Sequence, residues 1–552
     1  MRKGLGEIAS VLGALAVDFG NRDLGLLGIA RVGVSFAMWS FAISLGVYGF
    51  DHGGATAVGI VALVRLAPGA VASPFAGLLS DRFSRRAVLI GSGIAITAVL
   101  AAAAAVAAAG APAGLILALA GLFTVAVSGY APAEAAMLPL LAKTPQELSA
   151  ANVTHSTMEN IGFLLAALVT GVVLVLASPA VVFAAAAAVA LLNVVLITAI
   201  TPDRRPDYAP LDDELTGIVN ETTLGFRTLL SHPALRLCAA VILMLVFFEG
   251  LADVLIVILA LELLHLSHGS VGFLNAAWGI GALIAAAGLA LLLQRGRLVA
   301  ALVGGSLVIG AAAALPGAWT VPFAAYLGWL GIGFGYTFIE VASKTLLQRL
   351  GSDETLGRVI GSLESGRLAA MALGSIGASA AVALFGTEGA LFVLAGLMPV
   401  FVLLCWTSLR AHEVGAPVAE AFFSLLRGNS IFEPLPIATL ERLSRDLVPV
   451  TAAAGEEVIT QGEQGDSFYL IEEGEVEVFE NGDFRRNEGP GESFGEIALL
   501  RDVPRTATVR ATEPTRLLRL GRDQFIGAVT GHRRSRHLAH GVVDARWQPA
   551  TD

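Results

Sequence analysis

Apolar runs long enough to cross a membrane recur along the chain as far as residue 410. A membrane-spanning helix needs roughly 20 apolar residues. Such runs occur at 24–50, 55–80, 87–109, 113–141, 154–177 and 179–200, and again at 234–262, 269–293, 297–315, 319–347, 356–386 and 388–410. The pattern predicts an all-α membrane body of about twelve transmembrane helices in two six-helix halves, 21–200 and 233–410. The polar stretch between them, 201–232, is expected to be a linker.

The composition strengthens the prediction of a membrane protein. Of the 552 residues, 55% are hydrophobic and 14% are charged, and the mean hydropathy is +0.75. Most of so apolar a chain is expected to lie in the lipid bilayer. The formal net charge of −10 argues against nucleic acid as a partner, because a phosphate backbone needs clustered Lys and Arg. Cys238 and Cys405 lie in apolar runs, which favours reduced packing residues over a disulfide.

Basic residues distinguish one side of the membrane from the other. The odd-numbered connections between spans, such as 51–54, 110–112 and 387–389, contain no Lys or Arg. In or beside the even-numbered connections and the linker lie Arg82, Arg85, Arg86, Lys143, Arg204, Arg205, Arg227, Arg295, Arg297, Lys344 and Arg349. The positive-inside rule then predicts a multi-pass protein of the cell inner (plasma) membrane with the linker and both termini in the cytoplasm. Residues 1–20 are expected to form a cytoplasmic segment with a short interfacial helix.

A short internal repeat relates the two halves. The sequence Gly-Tyr-x-x-x-Glu ends the fourth span at 129–134 and the tenth span at 335–340. Glu159 then opens the fifth span, and Glu364 opens the eleventh at almost the same spacing. Repeated units of this kind are typical of secondary transporters.

The connection between the second and third spans carries a motif. Residues 77–86 read GLLSDRFSRR, which closely resembles the G-x-L-x-D-R-x-G-R-R loop of the major facilitator superfamily, with Ser84 in place of the second Gly. The resemblance covers roughly residues 20–410 and implies a transporter that works by alternating access. It also implies a gating latch, and the candidate residues are Gly77, Asp81, Arg82, Arg85, Arg86 and Glu134. Physically, Asp81 would face the positive end of a neighbouring helix, while the arginines would pair with acids or lipid phosphates.

The fifth span departs from that family's antiporter signature, G-x-x-x-G-P-x-x-G-G. The signature aligns with residues 162–171, where Ala166, Ala167 and Thr170 replace Gly, Pro and Gly. The helix is therefore expected to lack the kink of the signature. These substitutions weaken the specific interpretation of the protein as a proton-coupled drug exporter.

Ionisable residues at membrane depth are costly and are therefore functional candidates. Four of them lie deepest in their predicted spans, namely Arg31, Arg65, Glu249 and Asp253. An arginine facing an acid across a central cavity would bind a charged substrate or relay protons. The alternative is an internal ion pair with a structural role.

The composition changes after residue 410, where charged residues and turn glycines become frequent. A linker is predicted at 411–421, a separate domain at 422–530 and a C-terminal tail at 531–552. The domain begins with helical spacing of Leu, Ile and Phe and continues with short alternating strands between glycines. This pattern predicts a compact antiparallel β-roll.

Two stretches of this domain resemble cyclic-nucleotide-binding domains, which implies an α+β fold. Residues 465–478, GDSFYLIEEGEVEV, are similar to the central hairpin, and residues 494–509, FGEIALLRDVPRTATV, to the phosphate cassette. The implied nucleotide-binding residues are Phe494, Gly495, Glu496, Ile497, Ala498, Arg505, Thr506 and Ala507. A helix beginning at Glu496 would present amides and a positive dipole end to an anion, and Arg505 would neutralise the cyclic phosphate.

The same resemblance assigns the ribose 2′-hydroxyl to Glu496 and names cAMP or cGMP as a regulatory ligand, with cAMP favoured. Two features depart from the family's pattern. Asn487 and Glu488 are polar where an apolar strand residue is usual. The lid beyond Phe525 is poorly defined, with Trp547 as a candidate cap on the base.

Together the patterns favour a secondary-active transporter of the major facilitator type that exports a small molecule and is regulated by cyclic nucleotide. A membrane-tethered nucleotide sensor without net transport is one alternative. A transporter whose tail only forms a homodimer is another. The sequence has no prominent nucleophile elbow, metal-ligand cluster or P-loop, so neither an enzyme nor a cofactor or metal site is expected.

Overall fold

A computed structural model of the protein describes residues 20–141, 145–201, 233–293, 298–350, 353–411, 420–433 and 437–530, with the single residues Arg227, Leu229, Leu435 and Gly541. The chain divides into two compact units, the first within residues 1–413 and the second containing residues 414–552. Most of the predicted N-terminal segment, the linker 201–232, the linker 411–421 and the tail 531–552 lie outside the described residues.

All regular secondary structure in the described part of the first unit is helical. Its helices are α1 Arg22–Arg82, α2 Arg85–Ala108, α3 Ala113–Ser128, α4 Tyr130–Leu141, α5 Pro145–Leu176, α6 Pro179–Thr198, α7 Pro233–Ile258, α8 Gly269–Leu293, α9 Leu298–Ala318, α10 Pro322–Leu350, α11 Asp353–Leu404 and α12 Trp406–Ala411. A π-helical turn, Leu259–Leu263, extends α7. The helical body predicted from the apolar runs is confirmed.

Nine helices within the described ranges are long and apolar enough to cross a membrane. Two of them, α1 and α11, contain a break at a glycine with positive φ, +63° at Gly54 and +72° at Gly386. These breaks fall where the sequence predicts connections between spans. Helix α10, with 29 residues, is not among the nine. The predicted count of twelve spans therefore stays a prediction.

The two halves of the helical body meet closely at one end. On α8, a Cβ at Gly272 would lie 2.5 Å from the Cα of Gly171 on α5. Small residues of this kind allow helix backbones to approach each other in membranes. Nearby, Oδ1 of Asp51 in α1 lies 3.1 Å from Nε2 of His268 before α8. These residues belong to the end that carries the odd-numbered connections, so the halves are closed at that end.

The second unit combines helices with two antiparallel sheets. Its helices are α13 Glu420–Gly428, α14 Ile437–Asp446, α15 Glu496–Arg501 and α16 Arg522–Thr530. Its strands are β1 Val448–Ala452, β2 Glu457–Ile459, β3 Ser467–Glu473, β4 Val476–Glu480, β5 Asp483–Glu488, β6 Ser493–Phe494, β7 Thr508–Ala511 and β8 Thr515–Gly521. The strand orders are β1-β8-β3-β6 and β2-β7-β4-β5. The predicted antiparallel roll is confirmed.

Aromatic residues anchor the helices of this unit to the β1-β8-β3-β6 sheet. Phe468 of β3 stacks on Phe525 of α16 with ring centroids 4.6 Å apart. Phe432, after α13, meets Phe468 edge-on at 5.3 Å. All three side chains are fully buried. This core fixes α13, α14 and α16 against one sheet and leaves the other sheet to meet the cassette.

Candidate nucleotide site and transport cavity

The phosphate cassette begins with a strand end and a tight turn. Phe494 ends β6 and stacks on Tyr469 of β3, with ring centroids 5.2 Å apart. Gly495 follows with a φ of +93°, a left-handed conformation that other residues rarely adopt. A Cβ at this position would lie 2.8 Å from Nη1 of Arg505 and 3.0 Å from the carbonyl oxygen of Ser467. Both the backbone conformation and the space therefore require glycine.

Arg505 is buried beside this turn and held in one orientation. Its side chain is 6% exposed. Nη1 donates to the Gly495 carbonyl oxygen at 3.1 Å and Nη2 donates to the Ser467 carbonyl oxygen at 2.7 Å. Burial lowers the pKa of the guanidinium, opposed by nearby groups that include Asp466. Arginine nevertheless stays protonated in proteins, so the domain contains a fixed positive charge.

All eight predicted nucleotide-binding residues line one pocket, which contains Phe494, Gly495, Glu496, Ile497, Ala498, Arg505, Thr506 and Ala507. Four further lining residues were not identified from the sequence, namely Ile459, Val478, Arg486 and Val509. They come from β2, β4, β5 and β7, the four strands of one sheet. Glu496 is 1% exposed. The cassette and this sheet together form the pocket.

Arg486 brings a second positive charge to the pocket. Its Nη2 and Nε both lie 2.8 Å from Oε1 of Glu488, whose side chain is 1% exposed. The pairing of β4 with β5 places Arg486 opposite Val478. A buried carboxylate is accommodated when it is paired with a cation. The ion pair therefore explains the polar residue at 488, where an apolar one was expected.

The lid predicted beyond residue 525 lies only partly within the described residues. Helix α16 begins at Arg522, whose Nη2 donates to Oδ1 of Asp502 in the turn after α15. The ring of Phe525 is buried in the core of the domain. Trp547, the candidate cap, lies outside the described residues.

In the helical body, Arg31 and Glu134 belong to one charged cluster. Nη1 of Arg31 lies 3.0 Å from Oε2 of Glu134, and its Nη2 lies 2.7 Å from Oε1 of Glu159. Nδ1 of His155 lies 3.4 Å from Oε1 of Glu134. The cluster joins α1, α4 and α5 within the first half. It links a predicted cavity residue with a predicted gating residue.

The side chains of the loop motif at 77–86 lie only partly within the described residues. Gly77 lies in α1, and the side chains of Asp81 and Arg82 lie outside the described residues. The hydroxyl of Ser84 accepts a hydrogen bond from the backbone N of Ala87 at 3.3 Å. Ser84 therefore caps the N-terminus of α2, a position that favours serine.

Arg85 and Arg86 form the first turn of α2. Nε of Arg86 donates to the carbonyl oxygen of Ile197 at 3.3 Å, and its Nη2 donates to that of Thr198. These carbonyls lie at the C-terminal end of α6, where a cation is stabilised by the helix dipole. Arg86 thus connects α2 to α6 within the first half.

A cavity of about 530 Å³ lies between the two halves. Its polar, charged and aromatic lining residues are Trp39, Ser156, Glu159, Asn160, Phe163, Glu249, Asp253, Asn275, Trp278, Trp329, Tyr336, Thr337, Glu340, Lys344 and Arg367. Glu249 and Asp253, two of the four predicted transport residues, are among them. Arg31 is not among the lining residues, but it forms an ion pair with one of them, Glu159.

Arg65 pairs with an acid across the two halves. Its Nη2 in α1 lies 3.9 Å from Oδ2 of Asp253 in α7. Arg65 lines a smaller pocket that shares Trp39, Asp253 and Asn275 with the central cavity. An arginine and an acid therefore face each other between the halves, an arrangement that fits both the transport role and the structural ion pair.

A helical body with a cavity between two halves is the architecture of a secondary transporter. Residues 27–361, more than half of the chain, match the family model described as Major Facilitator Superfamily. The protein therefore belongs to this superfamily and is a multi-pass membrane protein. Residues 449–532 match the model of the cyclic nucleotide-binding domain.

A POT family transporter solved in complex with 5-aminolevulinic acid shares the fold, with a TM-score of 0.60 at 12% identity over 72% of this chain and 97% of that chain. The curated cAMP-dependent protein kinase regulatory subunit of Yarrowia lipolytica is 35% identical over 119 residues, which are 22% of this chain. The match spans 32% of that relative's length. The regulatory domain of Toxoplasma gondii PKA with cAMP is 31% identical over 20% of this chain and 43% of that chain, with a TM-score of 0.19.

Proposed function

We propose that the protein is a secondary-active transporter that exports a small molecule across the cell inner (plasma) membrane and is regulated by cAMP. The nucleotide binds the C-terminal domain, which lies in the cytoplasm together with the N-terminus. The observation that carries the regulatory part is the pocket in which all eight predicted nucleotide residues meet around the buried Arg505.

In this proposal Arg505 neutralises the cyclic phosphate. Its two Nη atoms are already fixed by carbonyl oxygens, so the charge needs little reorganisation on binding. Backbone amides at the start of α15 add hydrogen bonds to the phosphate, and Glu496 accepts one from the ribose 2′-hydroxyl. The identity of the ligand as cAMP is supported by the similarity of this domain to a cAMP-dependent protein kinase regulatory subunit, 35% identical over 119 residues.

The transport part is supported by the cavity between the halves and by the closed contact at one end. In this proposal the substrate enters the cavity from the cytoplasmic end and leaves when the contact between α5 and α8 separates. A nucleotide changes this equilibrium only if it binds the two access states with different affinity. The cytoplasmic position of the termini is supported by the distribution of basic residues.

A nucleotide titration of the purified full-length protein tests the regulatory site. We expect saturable binding of cAMP in calorimetry, tighter than that of cGMP. Arg505→Glu is expected to weaken cAMP binding at least ~100-fold, because it replaces a charge-assisted contact with a repulsive one. Arg519→Glu, an exposed position on β8 outside the pocket lining, is the matched charge control and should bind like the wild type. Wild-type protein without saturable binding below millimolar nucleotide would remove the regulatory proposal.

A further inference from the structure

The bases that line the central cavity each have a carboxylate on their own helix. Nζ of Lys344 lies 2.7 Å from Oε1 of Glu340. Nε of Arg367 lies 3.4 Å from Oε2 of Glu364. Pairs at these spacings, three and four residues apart, face each other along a helix surface. The positive charges of the lining are therefore already matched.

The lining acids are not all matched. Glu159 is 2.7 Å from Arg31 and Asp253 is 3.9 Å from Arg65. Glu249 differs from them, because no basic side chain among the described residues lies within 4.0 Å of its carboxylate. Its Oε2 accepts a hydrogen bond from a neutral group, the hydroxyl of Tyr336, at 2.5 Å. The cavity therefore has one carboxylate in excess over its ion pairs.

Aromatic residues line the same cavity as this excess carboxylate. Tyr336, which donates to Glu249, also packs against Trp278 with ring centroids 5.3 Å apart. Trp39 and Trp329 line the same cavity. The faces of Trp and Tyr rings attract cations, most strongly where water is excluded. A carboxylate among such rings is a suitable environment for a positively charged, apolar molecule.

We infer that the central cavity takes an organic cation with an apolar body, and that Glu249 is its counter-ion. The inference rests on the proposed transport function and names the substrate class of that site. An unmatched charge at membrane depth is costly, and an entering cation supplies the missing partner. An anion would instead meet the excess carboxylate and would have to compete with Glu340 and Glu364 for the lining bases.

Direct binding to the purified full-length protein tests the charge preference, with quenching of tryptophan fluorescence as the signal. The probes are tetraphenylphosphonium and tetraphenylborate, which share a four-phenyl shape and carry opposite charges. The cavity of about 530 Å³ is of the size that holds drug-sized ligands. The phosphonium ion is expected to bind at least ~10-fold more tightly than the borate ion. Equal affinities, or tighter binding of the borate ion, would overturn the inference.

Glu249→Gln isolates the counter-ion, because the amide oxygen still accepts from Tyr336 while the charge is lost. This variant is expected to weaken phosphonium binding at least ~10-fold. Glu262→Gln is the matched control. Glu262 is an exposed acid in the turn after α7, outside the cavity lining, and its loss should change the affinity by less than about twofold.

Arg367→Gln is expected to change the phosphonium affinity in the opposite direction. This variant therefore distinguishes the loss of a counter-ion from a folding defect. Removing a positive charge from the lining should tighten phosphonium binding several-fold, a gain that an unfolded variant does not produce. If Glu249→Gln and Arg367→Gln change the affinity in the same direction, the counter-ion assignment is wrong.

Flux measurements in proteoliposomes separate this inference from the transport function. If the protein takes up the phosphonium ion and Glu249→Gln abolishes this uptake, the result supports both the cation site and the transport function. Phosphonium binding with the expected charge preference but without flux would contradict transport and leave the cation site intact. Flux of anionic or neutral compounds alone, without phosphonium binding, would overturn the cation site and leave transport intact.

Discussion

Arg505 is fixed by its surroundings at both the backbone and the side chain. Its backbone N donates to the Glu463 carbonyl at 2.7 Å, and its carbonyl oxygen accepts from the N of Gly462 at 2.9 Å. Both Nη atoms donate to further carbonyl oxygens. A planar guanidinium held in this way loses little freedom on binding a phosphate. Preorganisation of this kind is what the proposed nucleotide contact requires.

Gly495→Ala tests how much of that preorganisation depends on the turn. The φ of +93° costs an L-residue about 1–2 kcal/mol, and the added Cβ meets Nη1 of Arg505 at 2.8 Å. We expect the unfolding free energy of the second unit to fall by about that amount and cAMP affinity to fall at least ~10-fold. Calorimetric unfolding and cAMP titration of the full-length protein measure the two effects.

Gly527→Ala is the control for the turn variant. Gly527 is exposed in α16, and a Cβ there would meet nothing within 4 Å. Alanine is preferred over glycine in a helix by roughly 1 kcal/mol. This variant should leave cAMP affinity unchanged and stabilise the second unit slightly. Equal losses in the two variants would show that the left-handed turn has no special role.

At the residue scale, contiguous motifs were predictable and contacts between distant residues were not. The eight cassette residues come from one short stretch, 494–507, so a sequence motif identifies them together. Arg486 reaches the pocket through the pairing of β4 with β5, which the motif does not encode. The sequence pattern assigns Arg31 to the cavity and Glu134 to the latch, whereas in the structure their side chains lie 3.0 Å apart. The position of a charged residue within one apolar span does not show which other helix supplies its ion-pair partner.

At the scale of elements, the contact between α5 and α8 is the feature that closes one end of the body. Besides Gly272, a Cβ at Gly269 would lie 2.3 Å from the carbonyl oxygen of Gly171. Interiors packed this tightly switch between discrete arrangements more readily than they deform. Under alternating access, the two helices must separate at this end in the other state.

Gly272→Val is predicted to shift the protein towards that other state. The larger side chain does not fit against Gly171, so the closed contact is destabilised relative to a separated one. Spin labels at cysteines introduced at 176 and 265, with Cys238 and Cys405 replaced by serine, report the distance between the helix ends. We expect the distances between the two spin labels to be longer than in the spin-labelled protein that retains Gly272.

The control for this prediction is Gly304→Val. Gly304 is exposed in α9, and a Cβ there would meet nothing within 4 Å. The spin-label distance distribution of Gly304→Val should match that of the spin-labelled protein without a glycine substitution. A distribution that Gly272→Val leaves unchanged would mean that the contact between α5 and α8 is not an access gate.

Element types were predictable because the apolar runs and the glycine-punctuated strands follow simple periods. Their exact ends were not. The fourth predicted span, 113–141, is divided at Gly129 into α3 and α4. The interruption at Gly54, by contrast, falls within the connection that the sequence predicts at 51–54. The division at Gly129 lies inside a continuous apolar run, so the local composition does not determine it.

At the scale of the whole molecule, the protein joins a membrane body of the Major Facilitator Superfamily to a cyclic nucleotide-binding domain. Regulation requires a free-energy coupling between the nucleotide pocket and the access equilibrium. Couplings of this kind are typically about 1–3 kcal/mol, which changes an equilibrium constant roughly 5- to 150-fold. The coupling is measurable without knowledge of the transported substrate.

The most direct measurement is the spin-label distance between positions 176 and 265 in the full-length protein in nanodiscs, with and without saturating cAMP. We expect cAMP to change the ratio of short to long distances at least ~5-fold. Arg505→Glu should abolish this response, and Arg519→Glu should retain it. An identical distance distribution with and without cAMP, in protein shown by titration to be saturated, would contradict nucleotide regulation of transport.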